Sequence, residues 1–159
     1  MFKKWFKKNH DQLVSPVTGQ VVALEDVDDP VFSQKMMGEG IAVDPEAGTI
    51  VAPVSGELIQ LSDTLHAFGI RSKEGAEVLV HVGLETVALK GNGFEALVKQ
   101  GESVSAGQHI LKADLDYIGE HAKSKTVIMV VTNSSEKEVE VQKETRATAG
   151  ETVLLHIPS

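Results

Sequence analysis

Thr64-Leu-His-Ala-Phe-Gly-Ile-Arg-Ser-Lys-Glu-Gly-Ala-Glu-Val-Leu-Val-His-Val-Gly83 reads as two short strands joined by the polar turn Ser72 to Gly75. If that four-residue loop closes a hairpin, Arg71 pairs with Ala76 and His66 lies directly across from His81. Opposed side chains on one face have Cβ atoms about 5 Å apart, so the two imidazoles would meet. The same register predicts a core face of Ala67, Gly69, Val78 and Val80, and an outer face of His66, Phe68, Leu79 and His81. A slip by one residue would send one histidine to the opposite face.

From Leu13 onward the chain keeps this β grammar, with Val- and Ile-rich runs punctuated by Gly, Pro, Asp or Ser. Two runs are near copies: Ser15-Pro-Val-Thr-Gly-Gln-Val-Val-Ala-Leu-Glu-Asp26 and Ala52-Pro-Val-Ser-Gly-Glu-Leu-Ile-Gln-Leu-Ser-Asp63. In each, a Pro followed three residues later by Gly suits a strand entry or a bulge. A second echo relates Gly101-Glu-Ser-Val104 to Gly150-Glu-Thr-Val153. The repeats predict two similar β layers folded against each other. Helix is minor: one or two turns over Phe94 to Lys99, and Leu115 to Lys123 with Asp114 as N-cap. The expected class is all-β, an antiparallel sandwich of Greek-key or jelly-roll type with one or two short helices.

The chain of 159 residues suits one domain, and its 42% hydrophobic content is enough for a core. There is no cysteine, which excludes disulfides, thiolate metal sites and a cysteine nucleophile. No apolar run approaches the roughly 20 residues of a membrane span, and no signal-peptide pattern is present, so a cytoplasmic location is expected. Lys3, Lys4, Lys7 and Lys8 bring +4 to the first eight residues and leave −12 on the remainder of a chain whose net charge is −8. An acidic body argues against nucleic acid and suits a basic protein partner. On a helix, Phe2, Trp5 and Phe6 would oppose those lysines, so residues 1–12 read either as a basic amphipathic tail for an anionic membrane surface or as a disordered arm. Residues 13–159 form the expected single domain.

Neutral imidazole is a good nucleophile near neutral pH and can accept a phosphoryl group. A second histidine donating N–H would stabilise the equatorial oxygens of the transition state, and the Thr64 hydroxyl could orient His66. An apolar rim would keep water from a labile phosphohistidine. Ordinary packing of two strand-face histidines is equally compatible with this spacing. Zinc is another reading, although two histidines supply only half a tetrahedral shell. No Gly-x-Ser-x-Gly elbow and no Gly-x-x-x-x-Gly-Lys-[Ser/Thr] loop occurs, which removes two common catalytic frames.

Several ordered motifs resemble the glucose-type IIA family of the bacterial phosphoenolpyruvate-dependent sugar phosphotransferase system. They are Val80-His-Val-Gly-Leu-Glu-Thr-Val87, Leu89-Lys-Gly-Asn-Gly-Phe94 and Thr64-Leu-His-Ala-Phe68, with support from Ser15-Pro-Val-Thr-Gly19, Asp29-Pro-Val-Phe32, Met37-Gly-Glu-Gly-Ile-Ala42 and Ala52-Pro-Val-Ser-Gly56. The resemblance covers Ser15 to Ile157 and implies an antiparallel β-sandwich. It implies that His81 accepts a phosphoryl group on Nε2 from the phosphohistidine of HPr and passes it to a cysteine of a sugar-specific IIB domain. With no cysteine in this chain, that acceptor lies on another polypeptide. His66 matches the accessory histidine and Thr64 the hydroxyl linked to it. Asp29 and Glu85 match acidic rim positions of the docking face, and Val31, Phe32, Met36, Met37, Leu79 and Val87 match its apolar part.

The family requires no cofactor; zinc shared by His66, His81 and a partner carboxylate is a weaker expectation from the same resemblance. Regulatory targets that sense the phosphorylation state are a second class of expected partner. Two departures from the family pattern stand out. Glu85 stands where Asp is commoner, and Met36 and Met37 replace branched aliphatics; flexible methionine suits a surface that meets several partners. His10, His109, His121 and His156 carry no expected role.

Overall fold

The computed structural model describes residues 11–158; residues 1–10 of the expected amphipathic tail, and with them its membrane contact, lie outside that range. In chain order the strands are β1 (Asp11–Val14), β2 (Gly19–Ala23), β3 (Glu39–Pro45), β4 (Thr49–Val51), β5 (Gly56–Leu61), β6 (Ala67–Ser72), β7 (Glu77–Leu84), β8 (Phe94–Ala96), β9 (Ser103–Val104), β10 (His109–Ala113), β11 (Ser124–Val131), β12 (Glu140–Val141), β13 (Arg146–Ala147) and β14 (Val153–Ile157). The domain begins two residues earlier than the sequence pattern suggests, because Asp11 and Gln12 already pair with Ile157 and His156.

All pairing is antiparallel. An eight-stranded sheet runs β13-β2-β3-β11-β7-β6-β5-β9, and two three-stranded sheets run β1-β14-β12 and β4-β10-β8. One core draws Leu13, Leu155 and Ile157 from one small sheet, Ile50, Leu111 and Ala113 from the other, and Ile41, Val43, Phe68, Val80 and Met129 from the large one. This is the sandwich expected from the alternation.

The sequence repeat has a structural meaning. The large sheet is palindromic about the β11–β7 seam, so β2 matches β5, β3 matches β6, and β13 matches β9. Both Pro-x-x-Gly segments lead into their strands as expected. They also cross: Val14 N–H donates to the Pro53 carbonyl (2.9 Å) and Val51 N–H to the Pro16 carbonyl (2.8 Å). A proline that cannot donate serves here through its carbonyl. The two copies therefore lie within one sheet, on opposite sides of the β11–β7 seam, instead of forming one layer each. The second echo is also displaced. Leu58 N–H bonds the Glu102 carbonyl as Val21 N–H bonds the Thr145 carbonyl, so residues 101–104 correspond to 144–147, and Gly150 corresponds to Gly107.

The helix expected over Phe94 to Lys99 is strand β8. Its backbone pairs with β10, Phe94 opposite Ala113 and Ala96 opposite Leu111, so tertiary pairing overrides a weak local helix signal. Helix α2 (Leu115–His121) forms as expected, with Asp114 Oδ1 accepting from Tyr117 N–H and Ile118 fully buried. A one-turn helix, numbered α1 in chain order (Pro30–Ser33), was not anticipated; Asp29 caps it and Pro30 fills its first position, where a missing N–H costs nothing. No helix among the described residues is long and apolar enough to cross a membrane.

The decisive correction concerns the β6–β7 hairpin. Arg71 pairs with Glu77, Phe68 with Val80, and Ala67 with His81, one residue out of the expected register. The turn is longer because Ser72 satisfies both backbone groups of Ala76: Ser72 N–H donates to its carbonyl (2.9 Å) and Ser72 Oγ accepts its N–H (3.0 Å). That hydroxyl in turn donates to Asp11 Oδ2 (2.7 Å). Faces follow parity, so Phe68, Ile70, Val78 and Val80 point into the core, while Ala67, Gly69, Leu79 and His81 point outward.

Phe68 thus moves from the expected partner face to the fully buried core. Phe68→Ala should lower unfolding free energy by about 3–5 kcal/mol in a denaturant titration, the cost of a large core cavity. A loss below about 1 kcal/mol would restore the outward assignment.

Candidate functional site

His81 stands on the outer face of β7, opposite Ala67 on β6 and Ile128 on β11. Ala67 is small, which leaves space over the strand beside the imidazole. The segment from Leu24 to Phe32 folds over the same face, where Leu24, Val27 and Phe32 pack on Ala42, Leu84, Ile128 and Val130. The Phe32 ring lies 5.1 Å from the His81 ring, tilted at 57°. His81 is therefore held in an apolar wall and largely withdrawn from water.

Its protonation pattern follows from one contact. Nδ1 lies 2.8 Å from the Gly83 carbonyl oxygen, which can only accept, so Nδ1 carries the proton and Nε2 the lone pair. Gly83 presents that carbonyl from a left-handed backbone (φ 78°), and a Cβ there would lie 2.5 Å from Thr86 Cγ2 and 2.7 Å from the Ser124 carbonyl oxygen. Glycine satisfies both demands. Beyond it, Glu85 is also left-handed (φ 59°), and the chain leaves the sheet into a 3-10 turn at Thr86–Leu89 held by Thr86 Oγ1 donating to the Val82 carbonyl.

His66 reaches the same place by a different route. The corrected register sets it opposite Val82, whose N–H donates to the His66 carbonyl at 2.7 Å. A regular strand would then bury its side chain. Instead β6 starts only at Ala67, and the turn Ser62 to Leu65 swings the ring outward. The two imidazoles meet edge to face, centroids 4.9 Å apart and planes at 80°. His66 Nδ1 sits 2.6 Å from Thr64 Oγ1 and 3.4 Å from Ser62 Oγ. If the Thr64 hydroxyl donates there, the His66 proton lies on Nε2, the tautomer opposite to that of His81. Among the described residues, the hydrogen bonds of both rings run through Nδ1, leaving each Nε2 for a ligand.

Burial lowers the pKa of both rings. For His81 desolvation dominates, the neighbouring His66 adds to it, and the Gly83 carbonyl and Asp29 only partly oppose it, so the value falls to about 4. His66 is lowered by desolvation alone. Both are neutral at physiological pH, and the His81 lone pair stays available.

The expected docking residues divide into two groups. Val31, Met36, Met37 and Val87 are exposed. Phe32 is only 5% exposed and serves as the wall against His81, a correction to its expected place on the open face. Leu79 is half-buried and shares a hollow with Met37, Ile59, Gln60 and Gly69. Asp29 spends one carboxylate oxygen on Val31 N–H (3.0 Å), and Glu85 is exposed. Sequence reasoning missed Gly83, Ser62 and Leu65. A glycine two residues after the histidine was a visible signal for the first; nothing local marked the other two. Among the described residues no group of three or more metal-ligating side chains occurs, so any zinc held by His66 and His81 would need further ligands from beyond those residues.

The family model described as phosphoenolpyruvate-dependent sugar phosphotransferase system, EIIA 1, matches residues 11–137. The chain belongs to this family. As an EIIA component it is similar to the PTS system glucose-specific EIIA component of Bacillus cereus, with 46% identity over 99% of this chain and 98% of the relative. It is also 47% identical over 89% of its length to 21% of the longer glucose-specific EIICBA component of Staphylococcus carnosus. Among solved structures, glucose permease IIA from Mycoplasma capricolum superposes with a TM-score of 0.87 at 37% identity, covering 92% of this chain and 95% of that one. An EIIA component is a phosphotransferase of a relay, taking a phosphoryl group from HPr through a histidine and delivering it to a IIB domain.

The pH dependence has a definite sign. An unfolded histidine protonates near 6.5, whereas folded His81 resists protonation down to about 4. Its contribution to stability is complete above 6.5, declines as pH falls from there, and levels off below about 4. Nitrogen-15 NMR should show the His81 ring neutral at pH 5.5 with a midpoint near 4; a midpoint near 6.5 would mean the ring is solvated.

Proposed function

We propose that His81 Nε2 is the atom that carries the phosphoryl group in this EIIA component. The observation that carries the reading is the pair of oppositely tethered rings: His81 Nδ1–H on the Gly83 carbonyl, His66 Nδ1 on the Thr64 hydroxyl, centroids 4.9 Å apart. In the accepting step the Nε2 lone pair forms a P–N bond as the P–N bond of phospho-HPr breaks, its electron pair returning to the donor imidazole. In the delivering step a thiolate of the IIB domain forms the P–S bond, and the electron pair of the breaking bond returns to Nε2.

His66, with its proton on Nε2, donates to a phosphoryl oxygen as charge accumulates there. Thr64 holds His66 in that tautomer. Such positioned donors act most strongly where water is excluded, and the Phe32 wall supplies that exclusion. Val31, Met36, Met37 and Val87 form the apolar contact for both partners, with Asp29 and Glu85 available to basic side chains at the rim. The relay operates in the cytoplasm.

Incubation with phosphoenolpyruvate, enzyme I and HPr should place acid-labile phosphate on the protein, and His81→Ala should abolish it. Undiminished labelling of that variant would transfer the role elsewhere. His66→Gln should still accept phosphate but donate it to IIB at least about tenfold more slowly, the scale for losing one preorganised donor.

A regulatory role is the second reading. A phosphoryl group brings up to two negative charges into an apolar hollow whose rim already carries Asp29 and Glu85, so targets seated there would distinguish the two forms. Affinity capture with phosphorylated and unphosphorylated protein should then recover different partners; identical sets beyond HPr and IIB would remove the regulatory reading.

A further inference from the structure

We infer that Leu65 is a positioning residue for the relay, and that its left-handed backbone is what turns His66 out of the core and onto His81. The inference rests on the assignment of His66 as the accessory group.

Register states the difficulty. His66 bonds through its carbonyl to Val82 N–H, and its neighbours Phe68 and Ile70 alternate into the core. Continued alternation would place the His66 side chain inside as well. The chain escapes at Leu65, which has φ of 61°. The turn is closed by Leu65 N–H donating to the Ser62 carbonyl (2.9 Å) and by Ser62 N–H donating to the Ala67 carbonyl (3.0 Å). Ser62 Oγ also accepts Ala67 N–H at 3.2 Å. Thr64, the partner of His66 Nδ1, lies inside this closed turn. One backbone conformation therefore sets both the direction of the ring and the hydroxyl that tethers it.

The internal duplication supplies independent support. Gly19 pairs with Pro45 as Gly56 pairs with Ser72, so β3 and β6 correspond and residue 65 matches residue 38. Gly38 also has positive φ (129°), and its N–H closes onto the Lys35 carbonyl three residues back (3.2 Å), as Leu65 closes onto Ser62. Glu39, the counterpart of His66, likewise turns its side chain to an outer contact, an ion pair with Lys35 at 3.1 Å. The reversal at the strand entry belongs to both halves. One half meets it with glycine, the residue suited to positive φ.

The other half uses leucine, for which the left-handed region is unfavourable. Its side chain is half-buried against the main core, and that packing holds the turn in a conformation the backbone alone would not choose. A β-branched residue would keep the apolar contact but resist the left-handed region. Asparagine accepts that region but lacks the apolar contact.

The test compares Leu65→Val, Leu65→Asn and His66→Gln in phosphoryl donation to a IIB domain, with nitrogen-15 NMR of the His66 ring. Leu65→Val should lower kcat by at least about tenfold, since small misplacement of a catalytic group is costly. KM for IIB should stay constant because the docking residues are untouched, and the His66 Nδ1 signal should lose its hydrogen-bonded shift. Leu65→Asn should bring donation back to within about threefold of the parent and restore that shift. Normal donation by Leu65→Val would overturn the inference, as would equal losses in both Leu65 variants or losses confined to KM. If His66→Gln itself donates normally, the assignment of His66 fails; if it is slow while Leu65→Val is fast, only the role of Leu65 fails.

Discussion

The register of β6 against β7 is the constraint on which the site depends. Ser72 sets it by taking both backbone groups of Ala76 into the turn, and Asp11 at the start of β1 ties that turn to the neighbouring small sheet. Once Phe68 is opposite Val80, the pleat sends Phe68 inward and His81 outward with no further choice. The fully buried phenyl ring then resists any slip, because a one-residue shift would bring it to the surface together with Ile70. Catalytic geometry is thereby coupled to core packing across the full length of the hairpin.

Duplication explains how such a hairpin acquires a partner for its histidine. Two copies of one strand entry cross at Pro16 and Pro53 and produce a sheet symmetric about the β11–β7 seam. His81 lies on a seam strand, where the segment from Leu24 to Phe32, from the first half, can close over an imidazole carried by the second. The second half adds the turn from Ser62 to Leu65, with its two hydroxyls on His66 Nδ1. The site is thus assembled from unequal uses of equal halves.

Desolvation and tethering act together on the chemistry. Burial alone would make His81 neutral without specifying which nitrogen holds the proton. The Gly83 carbonyl specifies it, and the Thr64 hydroxyl can set the complementary state on His66. The apolar surroundings that depress the pKa are continuous with exposed Val31, so the wall that excludes water lies beside the surface offered to partners.

Much was legible in the sequence because it is written locally. Apolar alternation and Pro-x-x-Gly entries announced the strands, the near-copies announced the duplication, Asp114 announced α2, and the motifs around His66 and His81 announced the family. The helix expected at Phe94 failed because pairing with β10 decides that segment, and pairing is a nonlocal property. The histidines were brought together in expectation by a register that the molecule does not use, and in the molecule by a slipped register that a left-handed residue corrects. A sequence determines which side chains are available and how each segment prefers to run. Register, face and tautomer were decided only by the tertiary structure, because each depends on hydrogen bonds made to backbone elsewhere: Ala76 for the hairpin, Val82 for His66, Gly83 for His81.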